Sequence, residues 1–281
     1  MILGGAASWR SALRHPGVIV GGGILVLLVA MAAGASFLTG HDPAELTPRL
    51  RLRPPGGDHL FGTDMSGRDV WSRVANGARV SLFIGIAVAV LALAAGTVIG
   101  LVSGYIRALD GVIMRVMDGL MAIPAILLAI AVVSLSKAGL VAVIIAIVIP
   151  EIPRVVRLVR SVVLSVREEP YVEAAIAVGT RTPLLLVRHV LPNTIAPLIV
   201  QATYIAASAI LIEAILSFLG VGIPPETPTW GNIMAEGRTL FRVFPHNILY
   251  PGVFLALTVL AVNMLGDGLR DTLDPRMSKR I

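Results

Sequence analysis

The sequence contains no cysteine and only two lysines, Lys137 and Lys279. A chain without cysteine forms no disulfide, no thiolate metal site and no thiol nucleophile. A nucleotide-hydrolysing domain needs a glycine-rich loop ending in GK[ST] to bind phosphates. Because each lysine here follows a serine and not a glycine, that loop is missing. Any nucleotide hydrolysis that serves this chain must therefore come from another polypeptide.

Charged residues are scarce as well. They make up 14% of the 281 residues against 56% hydrophobic residues, and the mean hydropathy is +0.86, far from the balance of a soluble domain. The net charge of +6 comes almost entirely from arginines, which alternate with apolar stretches and never form a long run. This pattern indicates loop orientation and contact with membrane lipid headgroups, and it argues against nucleic-acid binding.

Histidine is sparse too, and its positions exclude two further kinds of site. No two histidines are close in sequence, which predicts no histidine metal site. None lies inside an apolar stretch beside a serine, as an intramembrane serine protease would require. We therefore predict that the chain is not an enzyme and holds no metal or cofactor. The five histidines are His15, His41, His59, His189 and His246.

What the sequence has in abundance is apolar stretches that can cross a membrane, which takes about 20 helical residues. The fourth stretch is short, and we expect its helix to continue through Pro153 into the arginine-rich residues 154–167. The first follows Arg10 and Arg14 and is interpreted as a retained span and not a cleaved signal peptide. The sequence thus predicts an all-α polytopic membrane protein with six transmembrane helices. The six stretches are residues 17–38, 80–103, 113–135, 139–152, 195–219 and 248–268.

The distribution of arginine and lysine predicts the orientation. With the N-terminus inside, fourteen basic residues fall on inner segments and nine on outer ones. Both termini and residues 164–194, which we call the inner polar segment, are then cytoplasmic. Residues 39–79 and 220–247 are outside. We divide the chain into residues 1–79, with the N-terminal tail, first span and an outer amphipathic loop, and residues 80–281, the main transmembrane domain.

The inner polar segment has the pattern of two helices joined by a turn. Pro170 suits the first turn of a helix, and Tyr171, Ala174, Ala175 and Val178 fall on one face of it at i, i+3, i+4 and i+7. Gly179 can end this helix in a left-handed conformation, and Thr182 can cap a second helix that has Pro183 at its first position. Such a helix–turn–helix could lie in a groove of another protein. The alternative is an ordinary cytoplasmic loop with helical content.

Three features concern packing. Asp69 and Arg73 stand at i, i+4 on an amphipathic helix with Trp71 at headgroup depth, which predicts a helix in the outer interface. The second span carries two overlapping small-xxx-small steps, which predict close approach of another helix. Prolines mark kinks or helix ends. These steps use Gly96, Gly100 and Gly104, and the prolines are Pro124, Pro150 and Pro153.

Acidic residues within the spans decide whether an ion-coupled secondary transporter is an alternative. Glu213 lies inside the fifth span. We interpret it as hydrogen-bonded between helices or as lining a cavity, and not as a proton relay. Asp118 and Asp267 lie near span ends, where we expect them to pair with Arg115 and Arg270 respectively.

The motifs taken together resemble those of a known family. Residues 173–192 read EAAIAVGTRTPLLLVRHVLP, similar to the EAA loop of bacterial ABC importer permeases, and GTDMSGRD followed by SR and GAR is similar to C-type permeases of dipeptide and oligopeptide importers. Three further stretches are similar to the same C-type permeases, so the resemblance covers nearly the whole chain from Pro16. They read MRVMDGLMAIPAILLAI, SFLGVGIPPETPTWGNIMAEGR and GDGLRDTLDPR. His189 departs from the broad permease pattern, where isoleucine is usual, and resembles the peptide-type members.

This resemblance implies a type I ABC importer permease fold in the bacterial inner membrane. It implies a heterodimer with a homologous B-type permease, separate cytoplasmic ABC ATPase subunits and an extracytoplasmic solute-binding protein. Di- or oligopeptides are the expected cargo, nickel or glutathione remain alternatives, and no substrate-contacting residue is identified. The resemblance also implies that the EAA loop receives force from the ATPase. The residues that it assigns to this coupling are Glu173, Ala174, Ala175, Gly179, His189, Leu191 and Pro192.

Overall fold

The structure, a computed structural model, describes residues 13–136 and 139–273, so the predictions for Arg10 and for the C-terminal tail lie outside the described residues. The regular secondary structure of the described part is helical, with two isolated β-bridges in the loop between the first two long helices. In chain order the helices are α1 (Pro16–Leu38), α2 (Val70–Tyr105), α3 (Arg107–Ala122), α4 (Ala125–Leu135), α5 (Leu140–Val166), α6 (Pro170–Ala177), α7 (Thr182–Leu185), α8 (Leu191–Phe218), α9 (Trp230–Gly237) and α10 (His246–Leu273). Short 3₁₀ turns cover Pro48–Leu50 and Arg238–Leu240.

Four of the six predicted spans are present as helices long and apolar enough to cross a membrane: α1, α2, α10, and α8 with the turns that lead into it. The prediction of one continuous helix for the third span is wrong, because this part of the chain is broken into α3 and α4, which meet at 91°. Pro124 is the N-cap of α4, and Ile123 before it is extended, as a residue before proline prefers to be. With 11 residues, α4 is about 16 Å long and too short to cross alone.

The predicted continuation of the fourth span is confirmed. The helix α5 runs unbroken for 27 residues, through Pro150 and Pro153, into the arginine-rich part of the sequence. Neither proline ends it. Its first half is apolar and its second half carries arginines, so it links the membrane-embedded part of the molecule to the inner polar segment.

The start of the second span lies earlier than predicted. The expected outer amphipathic helix and the second span form one helix of 36 residues, α2. Asp69 is its N-cap and accepts a hydrogen bond from the Ser72 amide at 2.7 Å. The Trp71 indole lies against the Phe61 ring, with centroids 5.0 Å apart, and donates to the Leu38 carbonyl at the end of α1. The outer end of α2 is therefore packed against protein and does not lie alone in the interface.

The small-xxx-small prediction is confirmed as a helix–helix contact between α2 and α5, which we call the glycine seam. A Cβ added to Gly100 or Gly104 would lie 2.7 Å from the Cβ of Val159 or Val163, respectively. Gly96 meets Val155 in the same way. Three glycines at a spacing of four thus receive three valines at the same spacing, which allows the two backbones to approach closely.

Two clusters of buried side chains form the core. The larger is built by α2, α4, α5 and α8 and reaches into the inner polar segment. The smaller lies where α1, α2, α8 and α9 meet, around the fully buried Trp230, whose indole donates to the Val74 carbonyl at 3.1 Å. Since α5 and α8 both contribute to the larger cluster, the segment that connects them is attached to the core at both ends.

Candidate functional site

The first helix of the inner polar segment begins and ends as predicted. Pro170 is its first residue after the N-cap Glu169, and it ends at Gly179, whose φ is +86°. The Thr180 amide donates to the Ala175 carbonyl at 3.1 Å and the Gly179 amide to the Ile176 carbonyl at 2.9 Å. These two bonds form a Schellman motif, which needs the left-handed residue that glycine supplies without strain.

The second helical part differs from the prediction by one residue. The N-cap of α7 is Arg181 and not Thr182, Pro183 stands at its second position, and no side chain caps it. One π-helical turn, Leu186–Val190, then leads into α8 at Leu191. The segment is thus a short helix, a tight turn and a second helical run that continues directly into a membrane helix.

Three apolar side chains anchor the segment to the core. Val172, Leu185 and Val190 are completely buried and belong to the larger cluster together with Val163 and Val166 of α5. Because each helical part of the segment contributes an anchor, the segment is held as a rigid unit on α5 and α8.

The opposite side of the segment exposes apolar side chains. Val178 is 87% exposed and Val187 61%, and Tyr171, Ile176 and Leu184 are each about half exposed. Of the predicted face, only Ala175 turns partly inward. The segment thus presents an apolar surface with no partner in the described part of the chain. Of the residues assigned to coupling, Glu173, Ala174, Gly179 and Pro192 are exposed, whereas Ala175, His189 and Leu191 are half-buried.

A small polar cluster joins the two ends of the segment. The Asn193 amide donates to the His189 carbonyl at 2.7 Å and to the Tyr171 hydroxyl at 3.1 Å. The rings of Tyr171 and His189 lie 6.4 Å apart. This contact fixes α6 against the start of α8, and it places His189 within the segment's own hydrogen-bonded framework.

Two predicted ion pairs are wrong. Asp118 pairs with Arg157 of α5 at 2.6 Å and not with Arg115, and Asp267 accepts a hydrogen bond from the Tyr204 hydroxyl at 2.6 Å. In both cases the carboxylate finds its partner on a neighbouring helix, whereas spacing along one helix suggested an arginine three residues away.

Glu213 lies fully buried in the outer half of α8. Its Oε1 accepts hydrogen bonds from the hydroxyls of Ser217 and Thr229, each at 2.8 Å, and Thr229 is the N-cap of α9. Its Oε2 is buried without a partner. The residue therefore connects α8 to α9.

Sequence reasoning missed a group of four charged residues near the start of α2, which we call the ion cluster: Asp64, Arg68, Arg73 and Glu236. The Arg73 guanidinium is 1% exposed, bonds Asp64 at 2.6 Å and also bonds Glu236, which accepts from Arg68 as well. The predicted Asp69–Arg73 pair does not form, because Asp69 caps α2. Burial alone would raise the pKa of Asp64, but the charges of Arg73 and Arg68 and the Arg68 amide outweigh it and lower that pKa.

A cavity of about 580 Å³ lies beside the inner polar segment, between α5, α8 and α10. Its polar lining comes from Asn193, Gln201, Tyr204 and Arg270, and the remaining lining residues are apolar. It is open on one side, so its walls are accessible from outside the described chain.

Comparison with known sequence families gives two matches. Residues 96–279 match the binding-protein-dependent transport system inner membrane component family, and residues 5–55 match the N-terminal TM domain of oligopeptide transport permease C. Together the two matches leave only residues 56–95 and the extreme ends of the chain uncovered.

Individual relatives also match over nearly the whole chain. The chain is 55% identical to the probable peptide ABC transporter permease protein y4tQ of Sinorhizobium fredii, over 96% of this chain and 93% of the relative. It is 43% identical to the dipeptide transport system permease protein DppC of Alkalihalophilus pseudofirmus and 39% identical to the glutathione transport system permease protein GsiD of Pectobacterium atrosepticum, each over 96% of this chain and 90% of the relative.

Among solved structures, a chain of the MetNI methionine ABC transporter, in inward-facing conformations, matches with a TM-score of 0.52 at 20% identity, over 72% of this chain and 94% of that chain. At this identity the likeness concerns the fold alone, and it confirms the ABC importer permease fold. The apolar helices and the sequence matches place the protein in the inner membrane as a multi-pass protein. The chain belongs to the binding-protein-dependent transport system inner membrane component family and is a C-type permease subunit of an ABC importer.

Proposed function

We propose that this permease forms half of the translocation pathway of a peptide importer and that its inner polar segment receives force from a separate ATPase. The observation that carries the proposal is the two-sided construction of that segment. One side is anchored by Val172, Leu185 and Val190, and the other exposes Val178 and Val187. A surface of this kind fits a groove in a partner protein while remaining firmly joined to the membrane helices.

The connection to α5 and α8 supplies the route for the force. Both helices leave the segment directly and pack against α2 in the larger core cluster. A displacement of the segment therefore moves α5 and α8 instead of being absorbed by a loop. Flipping a two-state equilibrium from 1:99 to 99:1 takes about 5.5 kcal/mol, which a rigid joint transmits better than a mobile one.

Family membership supports the remaining partners that we propose, and the arginine count supports the orientation. A homologous B-type permease completes the pathway, cytoplasmic ABC ATPase subunits dock on the inner polar segment, and an extracytoplasmic solute-binding protein delivers the cargo. Both termini are then cytoplasmic, and residues 39–79 and 220–247 face outward, in agreement with the arginine count. Glu213 is fully buried and hydrogen-bonded between α8 and α9, which supports transport driven by a separate ATPase over ion coupling through this residue.

Peptides are the cargo that most of the compared relatives indicate by name. The y4tQ and DppC relatives are described as peptide and dipeptide permeases. The GsiD relative, at 39% identity, keeps glutathione as a second candidate of related chemistry. Uptake assays of the assembled importer with labelled di- and tripeptides, oligopeptides, glutathione and Ni²⁺ distinguish these substrates, and preferential uptake of Ni²⁺ would contradict the peptide proposal.

The coupling proposal is tested by adding bulk to the exposed side of the segment. Ala174 is exposed, so Ala174→Trp should leave the core intact while preventing close approach of a partner. Gly179→Val places a β-branched residue at φ +86° and should disrupt the Schellman turn. Both variants should assemble with the B-type permease but lose binding-protein-stimulated ATPase activity and uptake.

Ala108→Trp is the matched control, because Ala108 is also exposed and lies at the inner end of α3, outside the segment. It should retain stimulated ATPase activity. Normal stimulation and uptake in both Ala174→Trp and Gly179→Val would contradict the coupling assignment.

The orientation is tested with single cysteines in this cysteine-free chain. Ser66, Thr180 and Glu226 are suitable positions, whereas Thr229 is buried and is not. An impermeant thiol reagent should reach positions 66 and 226, but not 180, from outside intact spheroplasts. Labelling at 180 alone would reverse the topology.

A further inference from the structure

The fold brings together three potential metal ligands that are far apart in sequence. His41 follows the end of α1, His59 lies 18 residues further on, and Asp69 is the N-cap of α2. One ring nitrogen of each histidine and one carboxylate oxygen of Asp69 lie within 4.8 Å of one another. We propose that His41, His59 and Asp69 bind a divalent transition-metal ion, with Zn²⁺ as the ion that this set fits best.

The ligand types select the class of metal. Two imidazoles and one carboxylate form the kind of three-residue set that holds Zn²⁺ and leaves a position open for water. Mg²⁺ and Ca²⁺ prefer oxygen ligands alone and are disfavoured by two imidazoles. In a tetrahedral site the ligand atoms are about 3.3 Å apart. The Nδ1 of His59 and Oδ1 of Asp69 are already 2.9 Å apart, so small rotations are enough to admit the ion.

The surroundings hold the ligands in place. The second carboxylate oxygen of Asp69 accepts from the Ser72 amide at 2.7 Å, which fixes the carboxylate on the helix. The Nε2–H of His41 donates to the Asp58 carbonyl at 3.2 Å, and the His41 carbonyl accepts from the Ser72 hydroxyl at 2.6 Å. Hydrogen bonds of this kind orient ligands around bound metals and raise affinity.

The cluster opens into a cavity of about 420 Å³ that favours cations. Asp42, Glu45 and Asp58 line it together with the three proposed ligands, and none of its described lining residues is arginine or lysine. In a chain with a net charge of +6, this concentration of acidic side chains attracts a divalent ion and its water.

A bound ion would connect three points of a long irregular loop. Residues 39–69 are irregular apart from the 3₁₀ turn Pro48–Leu50 and two isolated β-bridges, and the proposed ligands stand near the start, in the second half and at the end of this loop. Closing it through a metal reduces the freedom of the unfolded loop and joins the end of α1 to the start of α2. This role concerns the outer part of the permease and is independent of the coupling proposal.

The test uses the full-length chain, purified without a polyhistidine tag, stripped with a chelator and dialysed against Zn²⁺. We expect one Zn²⁺ per chain. His41→Ala removes an exposed ligand, and His59→Gln removes a ligand while keeping a donor to Asp69. Each should weaken Zn²⁺ binding at least about tenfold, the smallest loss expected even for residues outside the ligand set. Asp69 is left unchanged because it also caps α2.

His15→Ala is the matched control, since His15 lies beside Asp271 at the other end of α1, and it should bind Zn²⁺ as the unchanged chain does. Co²⁺ should give the visible absorption of a four-coordinate site in the unchanged chain and in His15→Ala only, and Mg²⁺ should not compete. Size-exclusion profiles of the metal-free variants establish that they are folded. An unchanged chain that binds no Zn²⁺ at micromolar concentration, or equal Zn²⁺ affinity in all variants, would overturn the proposal.

Discussion

The two polar ends of this permease are built in opposite ways. At the end where α2 begins, the charged groups of Asp64, Arg68, Arg73 and Glu236 bond one another, and Trp230, in the same helix as Glu236, is fully buried. At the inner end, the polar segment buries only its anchors and leaves Val178 largely exposed.

The end with the four charged residues is stabilised by contacts within the chain, whereas the inner polar segment presents a surface that we propose is covered by a partner. The end where α2 begins pairs most of its buried charged groups within one chain, apart from the Nε of Arg73 and the Oε2 of Glu213, so changes there should affect folding. The inner polar segment leaves an apolar surface uncovered, which fits the docking role that we propose for it. Changes on that surface should spare folding and affect the coupled activity of the assembled importer.

The largest effect on stability is expected from Arg73→Ala. Its guanidinium is buried between Asp64 and Glu236, and removing one partner of a buried pair leaves uncompensated charge. The loss should be about 3–5 kcal/mol of unfolding free energy, measured by chemical denaturation in mixed micelles. Arg157→Ala, which breaks the exposed pair with Asp118, should cost no more than about 1 kcal/mol. Equal losses in the two variants would contradict the distinction.

The next largest loss of stability is expected from a bulky substitution in the glycine seam. Gly100→Leu directs a side chain into the Val159 side chain and the Val156 carbonyl, and overpacking of this kind costs about 1–3 kcal/mol. Gly119→Ala is the control, because nothing lies within 4 Å of a Cβ at that position. If thermal unfolding in micelles shows the same midpoint for both variants, the seam is not the contact that the structure describes.

A smaller and pH-dependent effect is expected from Asp64. Its pKa in the folded chain is lowered from 3.8, so the ionised carboxylate contributes stability that is fully present above pH 3.8. That contribution is lost as the pH falls through the lower folded pKa. Asp64→Asn should flatten the dependence below pH 3.8 relative to the unchanged chain. A steeper loss of stability in Asp64→Asn would reverse the sign that we assign.

The smallest effect is expected from Glu213→Gln. The glutamine oxygen can still accept from Ser217 and Thr229, so the connection to α9 should persist. Uptake by the assembled importer should remain ATP-driven and insensitive to an uncoupler at constant ATP. Glu213→Leu removes both acceptors and should cost about 1–3 kcal/mol. If uptake by the unchanged importer is lost when the proton gradient is dissipated at constant ATP, the result would favour an ion-coupled transporter instead.

Local signals in the sequence predicted the features that depend on neighbours along the chain. Gly179 ends α6 because only a residue tolerant of positive φ completes the Schellman turn. The spacing of Gly96, Gly100 and Gly104 predicted a close helix contact, though not that α5 would supply it. The continuation of α5 past Pro153 was predicted because the apolar stretch before it was short for a membrane span.

Features that depend on distant partners could not be predicted in this way. Arg73 stands four residues after Asp69, which suggested a pair, but its half-buried partner Glu236 comes from α9, 163 residues away. His41, His59 and Asp69 likewise meet only because the outer loop folds back on itself. Pro124 predicted a kink or a helix end, but the 91° angle between α3 and α4 could not be read from the sequence.

The central claim, that the inner polar segment is a surface awaiting a partner, is tested most directly by thiol labelling. Val178→Cys introduces one thiol at a position that is 87% exposed in this chain, and Leu46→Cys introduces one at an exposed position of the outer loop. In inverted vesicles, an impermeant maleimide should label position 178 when the permeases are produced without the ATPase subunits, and the labelling should fall sharply when the ATPase is present. The maleimide should label position 46 in spheroplasts and not in inverted vesicles, and this labelling should be the same with and without the ATPase. Equal labelling of position 178 with and without the ATPase would contradict the account.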